Sequence, residues 1–235
     1  MIATPVIPNI TTFGTAAVFA DRIPKLQKAV DLLDVIESIN TDESTPEGIA
    51  LPPVIAGGGP RDTLLDKPVK DYDIFWPIHR PWLVAAVANL VPRLSEWHSP
   101  RPNIDRAYGL NGYLRPEMLG VLNLPGSDID IIFFDARYGT TPHEIVSTFD
   151  TSICRCWFER YEDYLLNVRG TNDFWKSTQD RHIWTYPGIQ TRVSHLRRIM
   201  RKFHGYKLQI VDPDLAAQYA EALKREESPV RSLAQ

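Results

Sequence analysis

Between residues 55 and 76 the chain reads IAGGGPRDTLLDKPVKDYDIFW, and this stretch limits the fold more than any other. A short apolar run at 52–56 reads as a strand, and it stops at Gly57, Gly58 and Gly59. A second apolar run, at 72–76, carries two carboxylates at its head, Asp71 and Asp73. Side chains two apart on a strand share a face, so these carboxylates project together while Tyr72 and Ile74 face the other way. Further on, SDIDIIFF repeats the alternation, with Asp128 and Asp130 on one face and Ile129, Ile131 and Phe133 on the core side. Asp130 is favoured as a third member because it directly precedes the Ile-Ile-Phe-Phe core run, and Asp128 is held in reserve.

Carboxylates are the hard oxygen ligands that magnesium prefers. Two such ions, roughly 3.5–4 Å apart, neutralise the charge that builds on phosphate oxygens during nucleotidyl transfer. The glycines fit the other half of that chemistry, because backbone amides without a neighbouring Cβ can approach the β- and γ-phosphates of a nucleotide closely. Arg61 is placed to add charge-assisted bonds to phosphate, and Asp62 to brace the turn.

The order and spacing of Gly-Gly-x-x-Arg-Asp, Lys67-Pro68 and Lys70-Asp71-Tyr72-Asp73-Ile74 resemble the head-domain signature of CCA-adding enzymes and bacterial poly(A) polymerases, of the DNA polymerase β superfamily. The match runs without a gap from Ile55 to Phe75. The resemblance implies an α+β fold, a mixed sheet with flanking helices. It gives Gly57, Gly58, Arg61 and Asp62 phosphate-loop roles and makes Asp71 and Asp73 metal ligands. Residues 147–153, Ser-Thr-Phe-Asp-Thr-Ser-Ile, are similar to a second element of these enzymes and closer still to a Phe-Asp segment of small phage-type nucleotidyltransferases. Two readings of Asp150 stand, one beside the sugar or metal and one as a cap of a helix or strand. Arg197-Arg198-Ile199-Met200-Arg201-Lys202-Phe203-His204-Gly205-Tyr206 resembles the arginine-rich helix that borders the nucleotide pocket, which implies nucleotide-binding roles for Arg198 and Arg201. The alternative is an amphipathic helix with a solvated basic face. The base-selecting Glu-Asp-x-x-Arg motif is not evident, since Glu162-Asp163-Tyr164-Leu165-Leu166 lacks the arginine.

A length of 235 residues with 43% hydrophobic side chains is enough for a proper core. The organisation expected is an N-terminal helical segment at 1–50, a catalytic domain at 51–170 and a helical C-terminal segment at 171–235. Helices are expected at 23–40, from Pro81 to Leu90 with Pro92 ending or kinking it, at 193–203, and from 214 to 224. A hairpin is expected from 118–124 and 128–134, and a further strand pair from 153–158 and 164–168. Residues 41–48 read as a loop, 95–111 resist assignment, and the Glu-Glu-Ser-Pro tail is expected to fray.

Net charge is −3, so a nucleic-acid partner needs a local basic patch rather than a polycationic molecule. The stretch 192–207, from Arg192 to Lys207, supplies one. Cys154 and Cys156 stand too close in sequence for a good structural disulfide and are read as strand residues sharing a buried face. The histidines show no metal-ligand spacing, which sets zinc aside, and no triad context supports a serine hydrolase. Without a signal peptide or an apolar membrane span, the expected compartment is the cytoplasm. The function expected is magnesium-dependent transfer of NMP from an NTP to an acceptor hydroxyl, using two ions, with a tRNA-like RNA 3′ end as the leading acceptor. The alternatives are a protein or small-molecule hydroxyl, or a catalytically silent nucleotide-binding module of the same fold.

Overall fold

The computed structural model describes residues 16–40, 51–94, 103–105, 115–124 and 126–227. The expected loop at 41–48, most of the stretch 95–111 and the tail beyond 227 lie outside them. The strands are β1 (Ala16–Phe19), β2 (Val54–Ala56), β3 (Tyr72–Ile78), β4 (Asn103–Asp105), β5 (Met118–Leu124), β6 (Ile129–Asp135), β7 (Cys156–Glu162) and β8 (Leu165–Gly170). They form one sheet in the order β1-β8-β7-β2-β3-β6-β5-β4. β3 and β6 run parallel, and the other neighbours pair antiparallel. This is the mixed sheet that the resemblance implies, and β5 with β6 is the expected hairpin.

β3 is buried at every position but Asp73. A strand reads that way when both faces of the sheet are covered. Tyr72, Ile74, Trp76 and Ile78 point into one core, with Leu26, Val30, Leu33 and Ile36 of α1 (Pro24–Asn40) and Ala86, Leu90 and Leu94 of α3 (Leu83–Leu94). Phe75 points into the opposite core, with Ile132, Phe134, Ile145 and Val146 of α4 (Pro142–Ser147), and Ile199 of α6 (Val193–Lys202). Each fully buried Leu, Ile or Phe contributes about 1.5–3 kcal/mol, so the two layers hold the sheet between them. Asp73 and Asp130 lie on the α4–α6 side of this sheet. The remaining helices are α2 (Gly58–Leu64), α5 (Asn172–Asp180) and α7 (Pro213–Glu227), and a small parallel pair joins β9 (His182–Trp184) to β10 (Lys207–Gln209). No helix among the described residues is long and apolar enough to cross a membrane.

Three expectations need correction. α3 runs through Pro92 to Leu94 rather than ending there, and it is preceded by a 3-10 turn at Arg80–Trp82. Proline removes one helical bond, but buried Leu90 and Leu94 keep the last turn on the core. Ser152–Cys154 is a 3-10 turn rather than strand, so β7 begins at Cys156 and only that cysteine lies in it. Here the Ser152 hydroxyl accepts from Trp184 N at 3.1 Å and donates to Ser177 Oγ at 3.1 Å, tying the segment to β9 and α5 instead of the sheet. The last helix extends to Glu227.

Candidate active site

The parallel register of β3 on β6 sets Asp73 beside Asp130. Asp71 stands just before β3, so all three residues lie at one end of the central strand pair. Asp73 Oδ1 is sealed from solvent and has no hydrogen-bond partner. Burial, and after it the charges of Asp71 and Asp130, push the Asp73 carboxyl up to about 8. Burial also raises Asp130, against a bond from Asn123 Nδ2 at 2.6 Å. Asp71 accepts from Lys70 Nζ at 2.7 Å. Asp128 is turned away: its backbone has φ 55°, its carbonyl accepts from Tyr72 N at 3.0 Å, and its side chain pairs with Lys25 of α1.

Among the described residues, no three Asp, Glu, His or Cys side chains are drawn together into a ready metal-binding group. Asp71 is engaged by Lys70 and Asp130 by Asn123 instead. The donors are nonetheless of one hard type, and the orphaned Asp73 Oδ1 has a lone pair that only a proton or a cation satisfies. What these residues offer a hard cation is donor chemistry rather than a gathered cluster.

Gly57 ends β2 with φ 82° and ψ −122°, a conformation open only to glycine, and no side chain caps the helix that follows. Gly57 and Gly58 line a cavity of about 410 Å³ that also contains Asp73. Gly59 faces inward instead, where a Cβ would come within 2.4 Å of Tyr72 Cδ1. Arg61 and Asp62 face inward too, at 5% and 3% exposure. Arg61 Nε donates to Asp62 Oδ1 at 2.7 Å, its Nη1 to Cys154 Sγ at 3.0 Å, and its guanidinium lies over the Phe203 ring. Asp62 also accepts from Lys202 Nζ of α6, which donates to Pro68 O at 3.0 Å as well. This pair clamps α2 to α6 beneath the cavity.

The cavity floor is apolar, formed by Phe75, Met118, Ile132 and Phe149, and its far wall is polar. Asp150 lies there at 4% exposure, 3.1 Å from Arg115 Nη2 and 3.5 Å from His195 Nε2. α6 contributes Ser194, His195 and Arg198, and the segment before it contributes Gln190 and Arg192. His195 Nδ1 and Arg198 Nη2 are 3.1 Å apart, one helical turn from each other. The bond to Asp71 raises the pKa of Lys70, and Arg198 opposes that rise as it opposes the rise at Asp73; Arg198 and Asp73 line the same cavity. Arg201 is exposed and lies outside the cavity lining. Arg115 and His195 were missed in the sequence. Arg115 carries no periodic signal, whereas the three-residue spacing of His195 from Arg198 on one helix face was available.

No family model matches the chain, and no curated protein matches it. Solved structures do. The sheet and flanking helices share their fold with part of a solved CCA-adding enzyme. In particular, the chain is similar to a Thermotoga maritima CCA-adding enzyme complexed with tRNA, at 15% identity and a TM-score of 0.51 over 89% of this chain and 47% of that one. A Bacillus stearothermophilus CCA-adding enzyme in complex with CTP matches at 16% identity and a TM-score of 0.48, over 86% of this chain and 45% of that one. The chain spans about half the length of these structures. At such identities the likeness is one of fold.

Proposed function

We propose that this protein is a metal-dependent nucleotidyltransferase that moves NMP from an NTP to an acceptor hydroxyl. One observation carries the reading. Asp73 opens onto the same cavity as Gly57, Gly58, Arg192 and Arg198, and strand register sets Asp130 beside it. A cavity of about 410 Å³ suits a nucleotide, since ligand pockets run from roughly 300 to 1,000 Å³. Magnesium held by the three carboxylates, as two ions, would neutralise charge on the phosphate oxygens. The glycine amides, Arg192 and Arg198 surround the triphosphate. The acceptor oxygen forms a bond to the α-phosphorus, the bond to pyrophosphate breaks, and one carboxylate takes the hydroxyl proton. An RNA 3′ end is the acceptor we favour, supported by the basic surface of α6 and by the fold, and the cytoplasm is the compartment we favour.

Incubation with each α-³²P-labelled NTP, magnesium and total RNA or lysate tests this, with Asp73→Ala as control. Label on RNA is expected from the wild type alone. Equal labelling by wild type and Asp73→Ala sinks the catalytic assignment, and label on protein moves the acceptor to a protein hydroxyl. The ungathered carboxylates favour a second reading, a silent nucleotide-binding module. Under that reading, calorimetric NTP binding is indifferent to magnesium and survives Asp71→Ala with Asp73→Ala.

A further inference from the structure

Behind the cavity lies a buried arginine that touches none of its contents. Arg155 is 9% exposed and sits between the 3-10 turn and β7. Its Nε and Nη2 both donate to Phe149 O, at 3.2 and 3.1 Å. Its guanidinium lies over the Tyr186 ring, 3.2 Å from the centroid. Tyr186 in turn donates to Asp173 Oδ2 at 2.7 Å, and Arg155 Nη1 is 3.8 Å from the same oxygen. Burial lowers the pKa of this guanidinium, and Tyr186 and Asp173 only partly oppose the effect.

The two things it grips lead to two sides of the cavity. Phe149 belongs to the apolar floor, and its ring packs 3.3 Å from where a Cβ on Gly57 would stand. Tyr186 opens the segment that brings Gln190 and Arg192 to the polar wall and leads directly into α6. A buried planar guanidinium that fastens one carbonyl by two bonds and one ring by stacking fixes distance and angle together, which a flexible ammonium does not.

We propose that Arg155 is a positioning residue that sets the gap between the glycine–carboxylate wall and the cationic wall, and so the alignment of a bound nucleoside triphosphate. This rests on the nucleotidyltransferase reading. Catalysis by alignment is steep: a misplacement of 1 Å costs about 100-fold.

The test compares wild type with Arg155→Ala, Arg155→Lys and Tyr186→Leu, the last removing the stacking face without emptying the buried site. Hydrogen exchange is measured across the chain, mant-ATP binding by fluorescence, and NTP transfer by label. Arg155→Ala and Tyr186→Leu are expected to speed exchange at 186–192 while β3 and β6 stay protected. Transfer should fall by about 100-fold, mainly in kcat. Low, non-denaturing guanidinium chloride should restore Arg155→Ala but not Tyr186→Leu, and Arg155→Lys should stay impaired. The proposal is overturned if exchange at 186–192 is unchanged, if Arg155→Lys works like wild type, or if lost activity tracks only the unfolded fraction with no guanidinium rescue. A wild type that neither binds mant-ATP nor transfers label defeats the nucleotidyltransferase reading instead, and hydrogen exchange still decides the tether.

Discussion

A methyl group added at Gly59 would stand 2.4 Å from Tyr72 Cδ1, whereas one at Gly58 meets only Arg61 Nη2, at 3.6 Å. The neighbours therefore do different work. Gly59→Ala overpacks the contact between α2 and β3 and should destabilise the fold by about 1–3 kcal/mol, read from the urea midpoint. Gly58→Ala should leave that midpoint in place and weaken mant-ATP binding, because it crowds the cavity wall. Equal midpoint shifts would refute the division. The carboxylates make a second residue-level prediction. Magnesium should raise the Tm of wild type and leave those of Asp73→Asn and Asp130→Asn unmoved, since binding to the folded state alone stabilises it. Transfer by Asp73→Asn should fall beyond the roughly 10–100-fold that loss of an outer partner of a metal ligand costs.

Among the elements, α6 lines the site, α4 packs in the core with Phe75 and Phe149, and the two are fixed by different means. α4 has a capping box: Thr141 accepts from Glu144 N, and Glu144 Oε2 accepts from Thr140 N and Thr141 N at 2.9 and 3.0 Å. Those backbone bonds hold the Glu144 carboxyl down at about 2. A lowered folded-state pKa gives stability that is full above the ordinary value of 4.5 and lost as pH falls through about 2. Glu144→Gln should therefore lower the urea midpoint at pH 6, and the difference from wild type should shrink steadily below pH 4.5. Thr141→Ala should cost about 1 kcal/mol at any of these pH values. α6 is held instead by Lys202 on the buried Asp62. A double-mutant cycle of Lys202→Met with Asp62→Asn should give a coupling of about 1.5–3 kcal/mol, the worth of a bond to a charged group. A coupling near zero would mean that α6 stays docked through Ile199 and Phe203 alone.

At the scale of the molecule, the three expected segments share their cores. β1 pairs with β8, α1 packs on β3, and Ile199 and Phe203 of the C-terminal part lie in the core with Phe75 and Ile132. Urea unfolding followed by tryptophan fluorescence and by far-UV circular dichroism should give coincident transitions, because Trp76 and Trp157 report the two faces of one sheet. Separate transitions would mean that the segments unfold independently. Much of this architecture was legible. The alternation through Asp71–Asp73 and Asp128–Asp130 marked the central strands and their facing, because period-two patterning is local and strong. The 3-10 turn at Ser152–Cys154 was not, since its one hydroxyl, that of Ser152, is satisfied by β9 and α5, which lie far along the chain.

The sequence by itself determined the central chemistry. Glycines that stop a strand and carboxylates that alternate on another are short-range statements about backbone freedom and side-chain facing. Only the tertiary structure decided which of those residues reach the cavity. It sent Gly59, Arg61 and Asp62 inward, tied Asp128 to Lys25, set Asp130 against Asp73 through a parallel register, and brought Arg115 and His195 across from other elements. The physical reason is that register and helix docking are set by core packing between segments distant in sequence, and no local pattern encodes the partner across the gap.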